Sequence, residues 1–332
     1  MMIICFVATL LLMVLNLFVG AADISCVEVL QTLMGHAPTY EAELIVLHAR
    51  LPEVVVVLLA GGTLSLSGLV MQTVFANPLA DPSLLGVNAG ASLGVAVAVL
   101  LLGGSLTAGT LYLGGRLLIL LSAFVGALLV IGLLTIASTF MKGRLQLLVA
   151  GVMLSFVISS FISILSFFAS AQGVQTYVVW GLGTFSNVRL EQLLLFALPL
   201  LVGSLGVLFL FKSLNALLLG EVYALNLGIR VVRVRTVLLL LVGLLTAVVT
   251  AFCGPISFIG LAVPHAVRFF VNTSNHRRLL PLCFLGGSIV ALLCNILARS
   301  VSDYSVLPVN TLTPLIGVPV VLLLLWRRTI ND

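Results

Sequence analysis

Apolar runs of roughly 20 residues, joined by connections mostly too short to fold on their own, recur along this chain. Each run matches the hydrocarbon thickness of a bilayer. There a backbone must satisfy its own polar groups, which for successive runs of this kind means α-helices. The chain is therefore read as an all-α polytopic membrane protein, one transmembrane domain over residues 1–332. Composition agrees: 61% of residues are hydrophobic and 8% charged, so no soluble domain of any size fits between the runs.

The first run, Ile3 to Val19, precedes Gly20-Ala21-Ala22, which could pass for a signal-peptidase site. No Lys or Arg comes before it and the run is longer than a signal core, so it is read as a retained helix. Asp23 to Glu53 is polar and is taken as an external loop. Hydropathy then places helices at 54–73, 84–103, 116–138, 145–169, 193–211, 236–253, 256–271, 281–298 and 308–326, about ten in all with the first. Cytoplasmic connections are enriched in Lys and Arg, and placing both termini in the cytoplasm gives the best division. Lys142, Arg144, Lys212, Arg230, Arg233, Arg235, Arg277, Arg278, Arg327 and Arg328 then lie inside. Arg50, Arg116, Arg189 and Arg299 lie outside, with Arg268 within a helix. The net charge of +5 is scattered, which speaks against nucleic acid. The five cysteines show no CxxC spacing and are read as small hydrophobes.

One stretch breaks the apolar pattern. In Met71 to Gly94, Asn77, Pro78, Asp81 and Pro82 stop one helix and the next starts on Gly86, Gly90 and Gly94, a stripe of small residues that lets a neighbouring backbone approach. Phe75-Ala76-Asn77-Pro78-Leu79-Ala80, with Gly86 beyond, is echoed by Phe252-Cys253-Gly254-Pro255-Ile256-Ser257, with Gly260 beyond and Pro264 in the second break. The echo follows the seventh helix and the original follows the second. These run in opposite directions, so the pair reads as an inverted repeat of helices 2–5 and 7–10, a pattern of transporter folds. One break would face the cytoplasm and the other the outside.

Between Lys212 and Arg235 lies the one inside connection that looks structured. Gly220 and Gly228 bracket Glu221, Val222, Leu225 and Leu227, read as a short amphipathic helix that either rests on anionic lipid or docks a cytoplasmic partner. The chain has no phosphate-binding GxxxxGK[ST] loop and no HExxH motif. It has no carboxylate at a predicted helix centre, and its four histidines are not paired for haem. No cofactor, metal site or catalysis is therefore assigned to this chain, and neither proton nor sodium coupling has a visible seat. Such a chain would draw its energy from a partner.

Several motifs carry a resemblance to a known family. They are Arg50-Leu51-Pro52, GLVMQTVFANPLADPSLLGVNAGASLG from Gly68, LLVAGVMLS from Leu147, LLLGEVYALNLGI from Leu217, GPISFIGLAVPHAVRF from Gly254, HRRLLP from His276 and LPVNTLTPLIGVPV from Leu307. Together they resemble the permease subunits of binding-protein-dependent ABC importers for iron-siderophore complexes, haem and vitamin B12. The resemblance implies ten helices and a bacterial cytoplasmic membrane protein that is not itself an enzyme. It implies a dimer with a second permease copy, homodimeric or heterodimeric, two cytoplasmic ATPase subunits and an extracytoplasmic substrate-binding protein. By position, Leu217, Gly220, Glu221, Leu225 and Gly228 would couple to the ATPase, and Arg50 and Arg299 would dock the binding protein. Where the family has Arg-Leu-Pro-Arg this chain has Glu53, a reversed charge expected to repel the usual acidic partner. The path would run along helices five and ten and the element from Gln172 to Asn187, with Trp180, Ser186 and Asn187 beside it. The gate turn, Met141 to Gln146, carries unexpected charges and its residues are left unassigned. The expected cargo is a ferric siderophore or haem. Cobalamin, or a stand-alone secondary carrier, is the alternative.

Overall fold

The computed structural model describes residues 1–20, 24–101, 112–141, 144–300 and 307–319, and every regular element among them is helical. Helix α1 (Met2–Phe18) leads to α2 (Cys26–Leu33) and α3 (Tyr40–Glu43), which passes through a π-helical turn (Leu44–Arg50) into α4 (Leu51–Val74). After a 3₁₀ turn (Pro82–Leu85) come α5 (Val87–Ala96, extended by a π turn to Leu101), α6 (Tyr112–Phe140), α7 (Arg144–Phe168), α8 (Ala171–Gly181) and α9 (Leu190–Phe209). Then follow α10 (Phe211–Leu218), α11 (Glu221–Asn226), α12 (Val231–Cys253), α13 (Ile259–Val271) and α14 (His276–Ser300), with a further helix over 309–319. Six spans among the described residues are long and apolar enough to cross a bilayer, and the helices at Met2–Phe18, Val87–Leu101 and Ile259–Val271 are shorter.

Several boundaries differ from the sequence expectation. The segment taken as an external loop is largely helical, because Ser25 and Glu28 form a reciprocal capping box and Thr39 caps α3. Helices α12 and α14 begin at Val231 and His276, upstream of the predicted 236 and 281. Their first turns carry Arg233, Arg235, Arg277 and Arg278, charges that a hydropathy window assigns to a loop although a helix end at the membrane surface tolerates them. Lys142 in the gate turn and the tail arginines Arg327 and Arg328 fall outside the described residues.

Helix α4 forms the axis of the bundle and is buried almost throughout. Its sequence explains this: Gly61, Gly62, Thr63, Ser65, Ser67 and Gly68 offer small surfaces on several sides, so neighbours pack against backbone. A Cβ built on Gly61 would stand 2.4 Å from the Gly287 carbonyl oxygen of α14, and one on Gly287 2.2 Å from that of Gly61. Each long helix that precedes a break packs on the other half of the chain: α4 on α13 and α14, α12 on α5 and α6.

Helix ends sort the charges. Lys212, Arg230, Arg233, Arg235, Arg268, Arg277 and Arg278 gather at one end, called here the basic end. Arg50, Arg189 and Arg299 lie at the other with Glu28, Glu41, Glu43, Glu53 and Glu191.

Candidate functional site

The two breaks meet inside the bundle. Helix α4 ends at Val74 at the basic end, and the chain turns at Asn77, whose side-chain oxygen accepts the Leu79 amide (2.9 Å), and at the exposed Pro78. It then re-enters to Asp81, 8% exposed, whose Oδ1 accepts the Ser83 amide (2.9 Å) and hydroxyl (2.5 Å). Pro82 opens the 3₁₀ turn. From the opposite end, α12 stops at Gly254 (φ +79°), and the extended stretch through Pro255 delivers Ile259 as the start of α13. A Cβ on Gly260 would lie 2.7 Å from Asp81 Oδ2, 3.0 Å from the Leu64 carbonyl oxygen and 3.2 Å from Pro82 Cδ. The Asp81 carboxylate therefore faces the amide-rich first turn of α13, where a helix favours negative charge. Pro264 sits within α13 instead of breaking it. It has no N–H to give the Gly260 carbonyl, and that carbonyl is pressed against α4: a Cβ on Gly68 would come within 1.8 Å of it. Asn77 and Gly254 lie at opposite ends of the bundle, while the inner arms of the two breaks converge.

The glycine stripe divides by role. Gly90 and Gly94 lie against α6, where added Cβ atoms would approach the Gly126 carbonyl oxygen to 2.6 Å and the Ser122 carbonyl oxygen to 1.9 Å. Gly86 is left-handed (φ +76°), closes the 3₁₀ turn and precedes α5. The predicted helix start at 84 is thereby moved to Val87.

At the basic end, α10 and α11 form two short helices hinged at Gly220 (φ +103°) and closed by Gly228 (φ +78°). Leu217 points into the core, whereas Leu219, Val222, Leu225 and Leu227 are exposed. Glu221 is ion-paired with Arg235 of α12, itself buried. Asn215 Oδ1 accepts the His276 amide (2.8 Å), lies 3.0 Å from His276 Nδ1, and Asn215 Nδ2 donates to Asn275 Oδ1 (3.0 Å). His276 is fully buried, and its Nε2 lies 2.8 Å from Thr73 Oγ1 on the last turn of α4. Arg268 donates to Gln72 Oε1 (2.8 Å) in the same turn. The surface segment is thus tied to α4, α12 and α14 together. Thr73, Asn215 and His276 were not singled out from sequence. The one signal was a polar residue at the end of each of two apolar helices, Thr73 and His276 in HRRLLP, the latter 61 residues from Asn215.

At the other end, Arg50 (3% exposed) and Arg299 (8%) are buried. Arg50 donates to the Leu17 (2.9 Å) and Phe18 (3.2 Å) carbonyls, and Arg299 to those of Asn16 (3.4 Å) and Val19 (3.2 Å). Two guanidinium groups thereby satisfy carbonyls that the end of α1 leaves open and place positive charge at its negative pole. Glu53 is ion-paired with Arg299. The reversed charge therefore has an ion-pair partner within the chain. Nearby, a cavity of about 220 Å³ is lined by Trp180, Thr184, Asn187 and Gln192 against Ile119 and Phe252. Trp180 and Asn187 border it and Ser186 does not. Its floor is fixed by Thr184, whose amide donates to the Cys253 carbonyl (2.8 Å). Among the described residues, no three His, Cys, Asp or Glu side chains lie close enough together to hold a metal ion.

Long apolar helices, two of them followed by breaks whose arms meet midway through the bundle, define a membrane permease. The comparisons place it further: the chain belongs to the FecCD transport family, whose model matches residues 8–327. It is 33% identical over 327 residues to a probable iron chelatin transport system permease protein of Helicobacter pylori, covering 96% of each chain. It is 34% identical over 318 residues to the ferric enterobactin transport system permease protein of Escherichia coli, covering 95% of this chain and 91% of the relative. The vitamin B12 import system permease protein of Salmonella typhi is 36% identical over 287 residues, with 86% and 84% covered. A solved metal-chelate type ABC transporter in an inward-facing conformation superposes with a TM-score of 0.85 at 28% identity, covering 98% of both chains. The chain is a multi-pass protein of the bacterial cytoplasmic membrane.

Proposed function

We propose that this chain is the permease subunit of an ATP-driven, binding-protein-dependent importer that moves an iron complex, a ferric siderophore or haem, inward by alternating access. A second copy completes the path, separate ATPase subunits supply the energy, and an extracytoplasmic protein delivers the cargo. The observation that carries this reading is the segment from Phe211 to Ile229. It leaves Leu219, Val222, Leu225 and Leu227 exposed at the basic end while its polar side chains grip three long helices. An ATPase seated on those apolar side chains would push α12 through Glu221 and Arg235, and α14 and α4 through Asn215, His276 and Thr73. Those helices feed the crossing of Gly68 with Gly260, where a small displacement parts or rejoins the two breaks.

The same reading gives the chain ten passes, both termini in the cytoplasm, and two inverted halves, α4 to α7 and α12 to the helix over 309–319. The exchange of packing between the halves supports it. Arg50 and Arg299 serve the outer face by fixing the end of α1 and so shaping the rim on which a binding protein rests. Cobalamin is the alternative cargo, favoured by the Salmonella relative. Uptake in a strain lacking this chain, restored by its expression and measured with labelled ferric siderophores, haem and cobalamin in turn, identifies the cargo. Transport by this chain alone in vesicles, driven by a proton or sodium gradient, would replace the reading with a secondary carrier.

A further inference from the structure

An apolar cavity of about 440 Å³ opens between the start of α1, α4, the second half of α9 and the start of α14. Ile3, Phe6, Leu205, Leu208 and Phe284 line it, and Ser204 is the one polar residue among its lining. Its depth follows from helix geometry. At 1.5 Å per residue, the lining from Pro281 to Leu285 lies roughly 7–14 Å from the end of α14 at His276, the depth of one leaflet's acyl chains. The rim above it is basic. Arg277 and Arg278 are exposed and lie one turn before Pro281, on the same face of α14 as Phe284 and Leu285. Lys212, exposed, lies one turn before Asn215, which the bond to the His276 amide brings beside them. Neither α10 nor the first two turns of α14 contains a carboxylate to neutralise these cations.

From this juxtaposition we infer a binding site for an anionic phospholipid, with one acyl chain in the α1/α9/α14 cavity and the phosphate at Arg277, Arg278 and Lys212. Basic residues beside a membrane attract anionic headgroups, and arginine holds a phosphate through two parallel hydrogen bonds. An apolar slot below the rim adds what headgroup attraction alone lacks, a fixed seat for the tail.

Native mass spectrometry of the full-length chain in detergent tests it, titrating phosphatidylglycerol, phosphatidylethanolamine and inorganic phosphate separately. Phosphatidylglycerol is expected to bind at least tenfold more tightly than phosphatidylethanolamine. Changing Arg277→Ala together with Arg278→Ala should weaken it by roughly 30-fold, the worth of two basic residues at a membrane surface, whereas Arg277→Lys with Arg278→Lys should retain most of the preference. Leu205→Trp, filling the cavity, should exclude both lipids with the helical circular dichroism unchanged. Equal affinity for the two lipids, or an unaltered preference in the double alanine variant, overturns the site. Displacement of phosphatidylglycerol by inorganic phosphate also overturns it, since the tail would then contribute nothing.

Discussion

Replacing Gly68 by Ala should separate the two halves of the bundle at their tightest point. The added methyl carbon would stand 1.8 Å from the Gly260 carbonyl oxygen, 2.4 Å from its carbon and 2.6 Å from its Cα. All three are backbone atoms, so no side chain can swing aside. Ordinary contact begins near 3.4 Å, and α4 and α13 must therefore part by about 1.6 Å (3.4 Å less 1.8 Å). Overpacking of this kind costs about 1–3 kcal/mol, and the displacement also withdraws the first turn of α13 from Asp81. Gly132→Ala is an internal control: it lies within α6 with nothing within 4 Å of an added Cβ, and should be neutral or stabilising by up to ~1 kcal/mol. The assay is the melting temperature of both variants in detergent beside cellular uptake of the cargo, normalised to membrane-inserted protein. Gly68→Ala should melt lower and lose uptake, and Gly132→Ala should do neither. If the two variants behave alike, the crossing is not the constrained point and the account of the breaks fails.

Other expectations follow from the two ends of the bundle. Glu221→Gln leaves the buried Arg235 without its carboxylate and should abolish co-purification of the ATPase subunits while membrane insertion stays normal; undiminished co-purification would remove Glu221 from the coupling role. Glu53→Gln deprives Arg299 of its partner and should loosen the end of α1, seen as faster proteolysis between α1 and α2, and an unchanged cleavage rate would refute that role. Single cysteines at Asn77 and Ser257, in a background with all five native cysteines replaced, should react with impermeant maleimide from opposite faces of the membrane. Labelling from one face would invalidate the inverted arrangement.

Local chemistry in the sequence was enough to find most of the helices, because a crossing helix needs only length and apolarity. It was also enough to find both breaks, the first from two prolines and a carboxylate between apolar runs and the second from Gly254-Pro255 and its likeness to the first. What it could not supply was pairing across long separations. Nothing near Asp81 announces Gly260, and nothing near Glu53 announces Arg299, 246 positions later, with which it forms an ion pair. Burial works the same way. Arg50 and Arg299 look like surface residues by type, and the open carbonyls at the end of α1, with Glu53 for Arg299, hold them inward. The helical character of 26–50 was partly legible in Ser25 and Glu28, whose capping pattern was outweighed by the polarity of the stretch.

The fastening of α1 has a mechanical consequence. Asn16 is wholly buried, donates to the Leu292 carbonyl (3.3 Å) and accepts from Asn295 Nδ2 (3.0 Å), so the last turn of α1 is clamped to α14 by side-chain amides as well as by arginines. Among the described residues its first turn has no such fastening: Met2 and Ile3 are 57% and 79% exposed. The helix is a cantilever about 20 Å long, rigid where it meets α14 and held at its tip, among the described residues, by apolar contact. In any transport cycle its root must travel with α14, while its tip, which roofs the lipid-sized cavity, can deflect without breaking a hydrogen bond.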